Sequence, residues 1–184
     1  MNKVGRYIEA LITEGGLKQY DIAKAIGVHR QLLSLIILGK RELSIQMALK
    51  LESFFNLPEG KLLKIQIDNS ILNYKNKLKE HLVNELIEAN AFWSYDNVST
   101  NNIPDEELIE KTLVYLDLKD ISILFELYKR EYVRKVWMEN MVIRGDYLFN
   151  LNVMIAMFYF DIRDPEIYLK RAENSLIKKK LKNA

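Results

Sequence analysis

The segment KQYDIAKAIGVHRQLLSLI, residues 18–36, carries the pattern that decides the fold. Two helices that cross steeply through a short turn need a small residue where their backbones approach, and Ala23 supplies it. The turn needs a residue that accepts positive φ, and Gly27 follows four positions later. The spacing therefore predicts two short helices packed around a wedge of four aliphatic side chains, Ile22, Ile26, Leu33 and Ile36.

Cations follow this helix pair directly. Gly39 predicts the end of the second helix, and Lys40 and Arg41 come next, where they could reach phosphates. Such a helix-turn-helix either binds DNA or is a plain helical hairpin without a nucleic-acid role. The charge distribution favours DNA, because residues 1–68 hold ten Lys+Arg against seven Asp+Glu, whereas residues 69–184 hold 17 against 18.

Further helices are predicted on both sides of the pair. Apolar residues at helical spacing run from Val4 to Ile12 and stop at Gly15. A helix from Ser44 to Phe55 is predicted with Ser44 as its N-cap, and another from Pro58 to Ile65. The first part of the chain is therefore predicted to contain five helices.

This five-helix set resembles the lambda-repressor-like, or Cro/C1/Xre-type, DNA-binding domain over about residues 3–67. Within that family it looks most like the HigA-type antitoxins. Their sequence pattern is matched by eight residues, Gly27, Val28, Arg30, Ser34, Gly39, Lys40, Arg41 and Ser44. The resemblance implies a transcriptional regulator that binds double-stranded DNA.

The resemblance also implies a role for each residue of the motif. Arg30 and Gln31 would meet base edges in the major groove, with Ser34 one turn further on. Arginine suits guanine and glutamine suits adenine, so the residue types agree with that role. Contacts to phosphates are implied for four other residues, Lys18, Gln19, Lys40 and Arg41.

Two departures from the family pattern affect the second helix of the motif. His29 stands where the family usually has a serine N-cap, so either the helix start is weaker or the ring contacts a phosphate. Leu35 and Leu38 replace the arginine and asparagine common there. From Leu32 to Leu38 the sequence is apolar almost all round, which predicts burial on more than one side. Either base reading narrows to Arg30, Gln31 and Ser34, or this part of the helix meets another protein surface.

The remainder of the chain is also predicted to be helical, so the fold class is all-α. We expect a helix-turn-helix domain over residues 1–68, a linker helix over 69–90, a polar loop over 91–103 and a C-terminal helical domain over 104–184. Asp117 predicts a helix N-cap, and Gly145-Asp146 predicts the end of one helix and the cap of the next. Aromatic residues at helical spacing are expected in the C-terminal core: Trp137, Phe158, Phe160 and Tyr168.

The C-terminal region resembles the helical proteins that accompany nucleotidyltransferase-like toxins of the abortive-infection type. The resemblance depends on the start Phe92-Trp93-Ser94-Tyr95-Asp96 and on a helical run that ends near Asp164-Pro165. It implies a domain that binds a partner protein or a second copy of the chain. The cations of residues 178–182 are interpreted as a helix end whose negative dipole they suit, with a nucleic-acid contact as the alternative.

Composition argues against an enzyme. The 184 residues include no cysteine and only two histidines, far apart, so thiolate chemistry is excluded and a zinc site is not expected. After Gly60 the only glycine is Gly145, so a Gly-rich phosphate loop is absent. We therefore expect no catalytic residues, metal or cofactor. Apolar runs fall short of the roughly 20 residues of a membrane span, no signal peptide is apparent in residues 1–10, and we expect a cytoplasmic protein.

Two functions are compatible with this sequence. In the first, the chain is an autoregulating antitoxin that binds its own promoter through the N-terminal domain and a toxin through its C-terminal helices. In the second, it is a repressor carried by a phage or mobile element, and its C-terminal domain only oligomerises or senses a ligand. A homodimer is expected in both, because two half-sites one helical turn apart suit a two-fold protein. Candidate seams are the apolar residues of the second motif helix and helix 70–90.

Overall fold

A computed structural model describes residues 2–92, 99–100 and 102–182. The chain is all-helical, with 77% of its residues in helices and no strand among the described residues. It divides into two compact units, Met1–Tyr74 and Lys75–Ala184. The predicted all-α fold is confirmed. Most of the predicted polar loop, including Trp93 to Asp96 of the C-terminal resemblance, lies outside the described residues.

Within the described ranges, five α-helices begin in the first unit and five follow in the second. The first five are α1 (Lys3–Glu14), α2 (Gln19–Ala25), α3 (Arg30–Ile37), α4 (Ile45–Phe54) and α5 (Lys61–Glu88). The others are α6 (Asp105–Tyr115), α7 (Leu118–Leu127), α8 (Arg130–Val136), α9 (Phe149–Phe160) and α10 (Pro165–Lys182). Between α8 and α9 the chain forms a π-helical turn, Trp137–Met141, and a 3-10 segment, Val142–Leu148.

Helix α5 differs from the sequence-based prediction. Helices at Pro58 to Ile65 and at about 70–90 were expected, but one helix of 28 residues runs from Lys61 to Glu88. Residues 66–69 contain neither glycine nor proline, so nothing in the sequence stops the helix between the two predicted segments. The predicted domain boundary at residue 68 therefore falls inside a continuous helix.

The start of α5 is held by a buried carboxylate. Glu52 of α4 is 1% exposed. Its two carboxylate oxygens accept hydrogen bonds from the backbone N–H groups of Gly60 at 2.9 Å and Leu62 at 2.7 Å. These N–H groups lie in the first turn, where a helix offers unpaired donors and a positive dipole end. Glu52 thereby fixes α5 to α4.

The core of the second unit is built around Trp137, which is fully buried. Its indole Nε1 donates a hydrogen bond to Oδ1 of the buried Asn152 at 2.8 Å, and Nδ2 of Asn152 donates to the carbonyl of Met141 at 3.3 Å. Phe160 stacks on Trp137 with 4.9 Å between ring centroids. The predicted core positions of Trp137 and Phe160 are confirmed, and Tyr168 is partly buried against the same core.

One expectation for the second unit is wrong. Phe158 is 66% exposed, because α9 is apolar all round and only one side of it faces the core. The predicted helix break at Gly145 is confirmed: with φ of 60° and ψ of −134° it divides the 3-10 segment into two helical pieces. The α-helix that follows, α9, begins only at Phe149, three residues after the predicted cap at Asp146. The predicted N-cap at Asp117 is confirmed: its Oδ1 accepts hydrogen bonds from the N–H groups of Lys119 and Asp120.

Within the second unit, a polar cluster joins α5, the start of α6 and two tyrosines near the start of α8. Asp105 accepts hydrogen bonds from Lys79 Nζ at 2.8 Å and from the Tyr128 hydroxyl at 2.7 Å. Burial acts to raise the pKa of Asp105, but these two hydrogen bonds and the positive charge of Lys79 together outweigh burial, so the pKa lies below its ordinary value. A hydrogen bond to Glu106 raises the pKa of Tyr132 to about 12.

Gly5 allows α1 and α3 to approach closely. A Cβ at this position would overlap the backbone carbonyl oxygen of Ile37 at the end of α3. Overpacking usually costs about 1–3 kcal/mol, and alanine favours a helix interior over glycine by about 1 kcal/mol. Gly5→Ala should therefore lower the free energy of unfolding by up to about 2 kcal/mol. Thermal unfolding followed by circular dichroism measures the change. Glu9→Ala on the exposed side of α1 is the control, and equal or greater stability of Gly5→Ala would contradict this packing.

Candidate nucleic-acid interface

The turn between α2 and α3 has the predicted geometry. Gly27 adopts φ of 66°, which a residue with a Cβ reaches only with strain. The N–H of Gly27 donates to the carbonyl of Lys24 at 3.2 Å, and the N–H of Val28 donates to the carbonyl of Ala23 at 2.9 Å. Ala23 is buried where the two helices meet. The sequence-based prediction of this turn is confirmed.

The two sides of α3 differ sharply. Its inner side contributes the buried residues Leu33, Ile36 and Ile37 to the core of the first unit. Its outer side exposes Leu35 and Leu38, the latter by 50%. Among the described residues, packing covers only one side of residues 32–38, and Leu35 and Leu38 face solvent. Burial of the second side against another protein surface stays a prediction.

The predicted base-reading residues come together on the outer side of α3. Arg30, Gln31 and Ser34 line one shallow surface depression together with Leu35. Arg30 and Gln31 are exposed, and Ser34 is half-buried. Because all three belong to a helix whose inner side is packed, their backbone positions are fixed. This arrangement suits a surface that enters a groove of DNA.

The predicted phosphate-contacting residues lie outside this depression, at the ends of the motif helices. Lys18 is the N-cap residue of α2 and is exposed, and Gln19 is the half-buried first residue of that helix. Lys40 and Arg41 are exposed in the turn that follows α3. Their N–H groups both donate to the carbonyl of Leu35, at 2.9 and 3.2 Å, and Gly39 closes the turn with φ of 73°.

The cations of this surface have no competing partner in the part of the chain that the structure describes. Among the described residues, none of the eight predicted side chains forms an intramolecular hydrogen bond or ion pair; the set is Lys18, Gln19, His29, Arg30, Gln31, Ser34, Lys40 and Arg41. From residue 28 to residue 41 the sequence contains no Asp or Glu. The positive charge is therefore available to an anionic partner.

His29 is the N-cap residue of α3, as the alignment with the family pattern implied. Its φ of −72° and ψ of 134° are those of a cap, but its side chain makes no cap hydrogen bond. By contrast, Ser44 caps α4 as predicted, and its Oγ accepts a hydrogen bond from the N–H of Met47 at 3.3 Å. The first turn of α3 thus has fewer satisfied donors than that of α4.

A residue that no sequence pattern indicates holds the end of the α3–α4 loop. The side-chain amide of Gln66, in α5, pairs with both backbone groups of Leu43: Oε1 accepts from the N–H at 2.7 Å, and Nε2 donates to the carbonyl at 3.2 Å. The partners are 23 positions apart. No local pattern links them, so only the tertiary structure reveals the pair.

Comparison with known proteins supports the motif. Residues 8–62 match the family model described as helix-turn-helix, which spans most of α1 to the start of α5. No curated protein and no solved structure matches the chain. No described helix combines the length and apolar character that a membrane crossing requires. The described residues also include no group of three or more His, Asp or Glu side chains able to hold a metal ion.

The missing cap at α3 can be supplied. His29→Ser would place a hydroxyl where it can accept a hydrogen bond from the first turn, so the free energy of unfolding should rise by about 0.5–1 kcal/mol. Chemical denaturation followed by circular dichroism measures it. His29→Ala removes the ring without adding an acceptor and is the control. A His29→Ser variant no more stable than His29→Ala would show that the cap position is not limiting.

Proposed function

We propose that this chain, with a helix-turn-helix domain over residues 8–62, is a sequence-specific DNA-binding transcriptional regulator that acts as the autoregulating antitoxin of a toxin-antitoxin system. The observation that carries the DNA-binding half is the outer side of α3. There Arg30, Gln31 and Ser34 line one surface on a helix anchored by its other side, and their side chains have no partner among the described residues. The proposal includes no catalytic activity and no cofactor.

Base reading follows from the chemistry of these side chains. With the N-terminal end of α3 in the major groove, the Arg30 guanidinium can donate two hydrogen bonds to O6 and N7 of a guanine. The Gln31 amide can both donate and accept, which matches N6 and N7 of an adenine. Ser34 lies one turn deeper along the helix and can contact either kind of base. Leu35, exposed beside them, can contact a thymine methyl group.

Phosphate contacts supply affinity and orientation. Lys18 and Gln19 lie at the start of α2, before the base-reading residues in the sequence. Lys40 and Arg41 follow the end of α3, so positive charge is present on both sides of the base-reading segment. Each phosphate neutralised releases condensed counterions, which makes binding weaken steeply with salt. His29, exposed at the first turn of α3, can add a further phosphate contact.

We also propose that the regulator binds DNA as a homodimer. Exposed apolar side chains that a second copy could cover occur at Leu38, which directly follows α3, and on α5 at Ile71 and Tyr74. Burying them would remove apolar surface from water and set two α3 helices at a fixed spacing. Sedimentation equilibrium distinguishes the dimer from a monomer.

The antitoxin half of the proposal concerns the second unit. Its helix α9 exposes Met154, Met157 and Phe158 on one side, at the spacing of successive helical turns, with exposed fractions between 48% and 66%. A contiguous exposed apolar surface of this kind is typical of a site that binds another protein. Methionine side chains adapt to irregular partner surfaces. This face supports a protein partner for the second unit.

Replacing the two base-reading residues tests the DNA assignment. Arg30→Ala with Gln31→Ala should abolish retardation of an operator selected from a randomised duplex library, because both side chains that discriminate bases are lost. Circular dichroism should remain that of wild type, since both positions are exposed. Equal binding of the operator by wild type and the double variant would refute the assignment.

Two single variants make the comparison specific. Lys40→Ala should weaken binding to all duplexes alike and reduce the slope of log K against log salt by about one. Arg163→Ala, an equally exposed cation in the second unit, should change neither affinity nor slope. The Arg30→Ala/Gln31→Ala variant should lose the operator complex selectively, whereas Lys40→Ala should bind every duplex more weakly. This difference separates base reading from phosphate contact.

The antitoxin assignment predicts a complex with a toxin. Co-expression with the product of the adjacent reading frame should yield a stable co-purified complex and should relieve growth inhibition by that product. Replacing Met154 and Phe158 by serine should weaken the complex without affecting DNA retardation. A neighbouring product that is not toxic and forms no complex would contradict the antitoxin assignment. That outcome favours the alternative, a repressor whose second unit only oligomerises or senses a ligand.

A further inference from the structure

We propose that Gln66 is a positioning residue for DNA affinity, because it fixes the loop that presents Lys40 and Arg41. The inference rests on the proposed DNA-binding function and adds a residue that is not itself on the DNA-contacting surface. Gln66 belongs to α5, outside the helix-turn-helix pair, and is half-buried.

The α3–α4 loop is fixed at two points. At its start, the carbonyl of Leu35 accepts hydrogen bonds from the N–H groups of Lys40 and Arg41. At its end, Leu43 is buried and both of its backbone polar groups are paired with the Gln66 amide, at 2.7 and 3.2 Å. Only Glu42 lies between the two fixed points. The loop is therefore held on either side of the cations.

The primary amide of Gln66 is complementary to the backbone of Leu43. The backbone of Leu43 presents one donor and one acceptor, and a primary amide offers the complementary acceptor and donor in one plane. A carboxylate at position 66 could accept from the N–H but could not donate to the carbonyl. A methionine side chain is similar in length to glutamine, but it has no hydrogen-bond donor and its sulfur is only a weak acceptor. The identity of residue 66 thus determines how firmly the loop is closed.

The anchor of Gln66 is itself fixed. Glu52 of α4 accepts hydrogen bonds from the N–H groups of Gly60 and Leu62 at the start of α5. Leu62 is buried in the core of the first unit, one turn before Gln66. Gln66 therefore extends from a rigid support. A loop ordered before binding saves the entropy that a mobile loop would lose when its cations meet phosphates.

The test uses the full chain and a short duplex of random sequence, because phosphate contacts do not depend on sequence. Gln66→Met should weaken binding about fivefold to tenfold, as expected for the loss of hydrogen bonds that order a contact loop. The slope of log K against log salt should fall toward that of the Lys40→Ala/Arg41→Ala double variant. Asn73→Ala, an exposed amide on the same helix, is the matched control and should bind as wild type.

A double-mutant cycle separates positioning from a general loss of structure. In the Lys40→Ala/Arg41→Ala background, Gln66→Met should change affinity by less than about twofold, since the cations it positions are gone. If Gln66→Met does not fold, Gln66→Glu, which keeps the hydrogen bond from Leu43 N–H, should give a smaller loss with the same dependence on background. Equal losses in both backgrounds, or no loss in wild type, would overturn the inference while leaving the proposed function intact. Failure of the wild type to bind any duplex would overturn both.

Discussion

The burial of one side of α3 is the constraint on which the rest of the first unit depends. Leu33, Ile36 and Ile37 are almost completely buried. Each such side chain contributes about 1.5–3 kcal/mol relative to an exposed one, so rotation of α3 about its axis is strongly disfavoured. Gly5 permits α1 to come close enough to cover this side. Arg30 and Gln31 are held facing outward as a consequence, and the proposed DNA-contacting surface owes its orientation to the packed side of the same helix.

Polar contacts extend that order beyond α3. Glu52 ties the first turn of α5 to α4, and Gln66, one turn further along α5, ties the end of the α3–α4 loop. Because α5 continues to Glu88, the helix that anchors the loop also supplies core residues of the second unit, among them Leu82. A single helix thus serves both the DNA-facing unit and the unit proposed to bind a partner.

Local patterns in the sequence were sufficient for the parts of this fold that depend on local chemistry. Gly27 predicts its own turn because few other residues accept positive φ, and Ser44 predicts its cap because the hydroxyl meets a donor three residues away. The Gln66–Leu43 pair could not be predicted, since its partners are 23 positions apart and each has an ordinary local context. The same holds for Phe158: its spacing is helical, but α9 is apolar on every side, and periodicity cannot tell which side is covered.

The central claim is that the outer side of α3 and the turn after it form the DNA-contacting surface. Amide hydrogen exchange, measured with and without the selected operator duplex, tests it most directly because it needs no substitution. The account predicts slower exchange from Arg30 to Ser34 and from Gly39 to Arg41, with exchange on α9 unchanged. Slower exchange confined to the second unit, or none in α3 under conditions where the complex forms, would contradict the account.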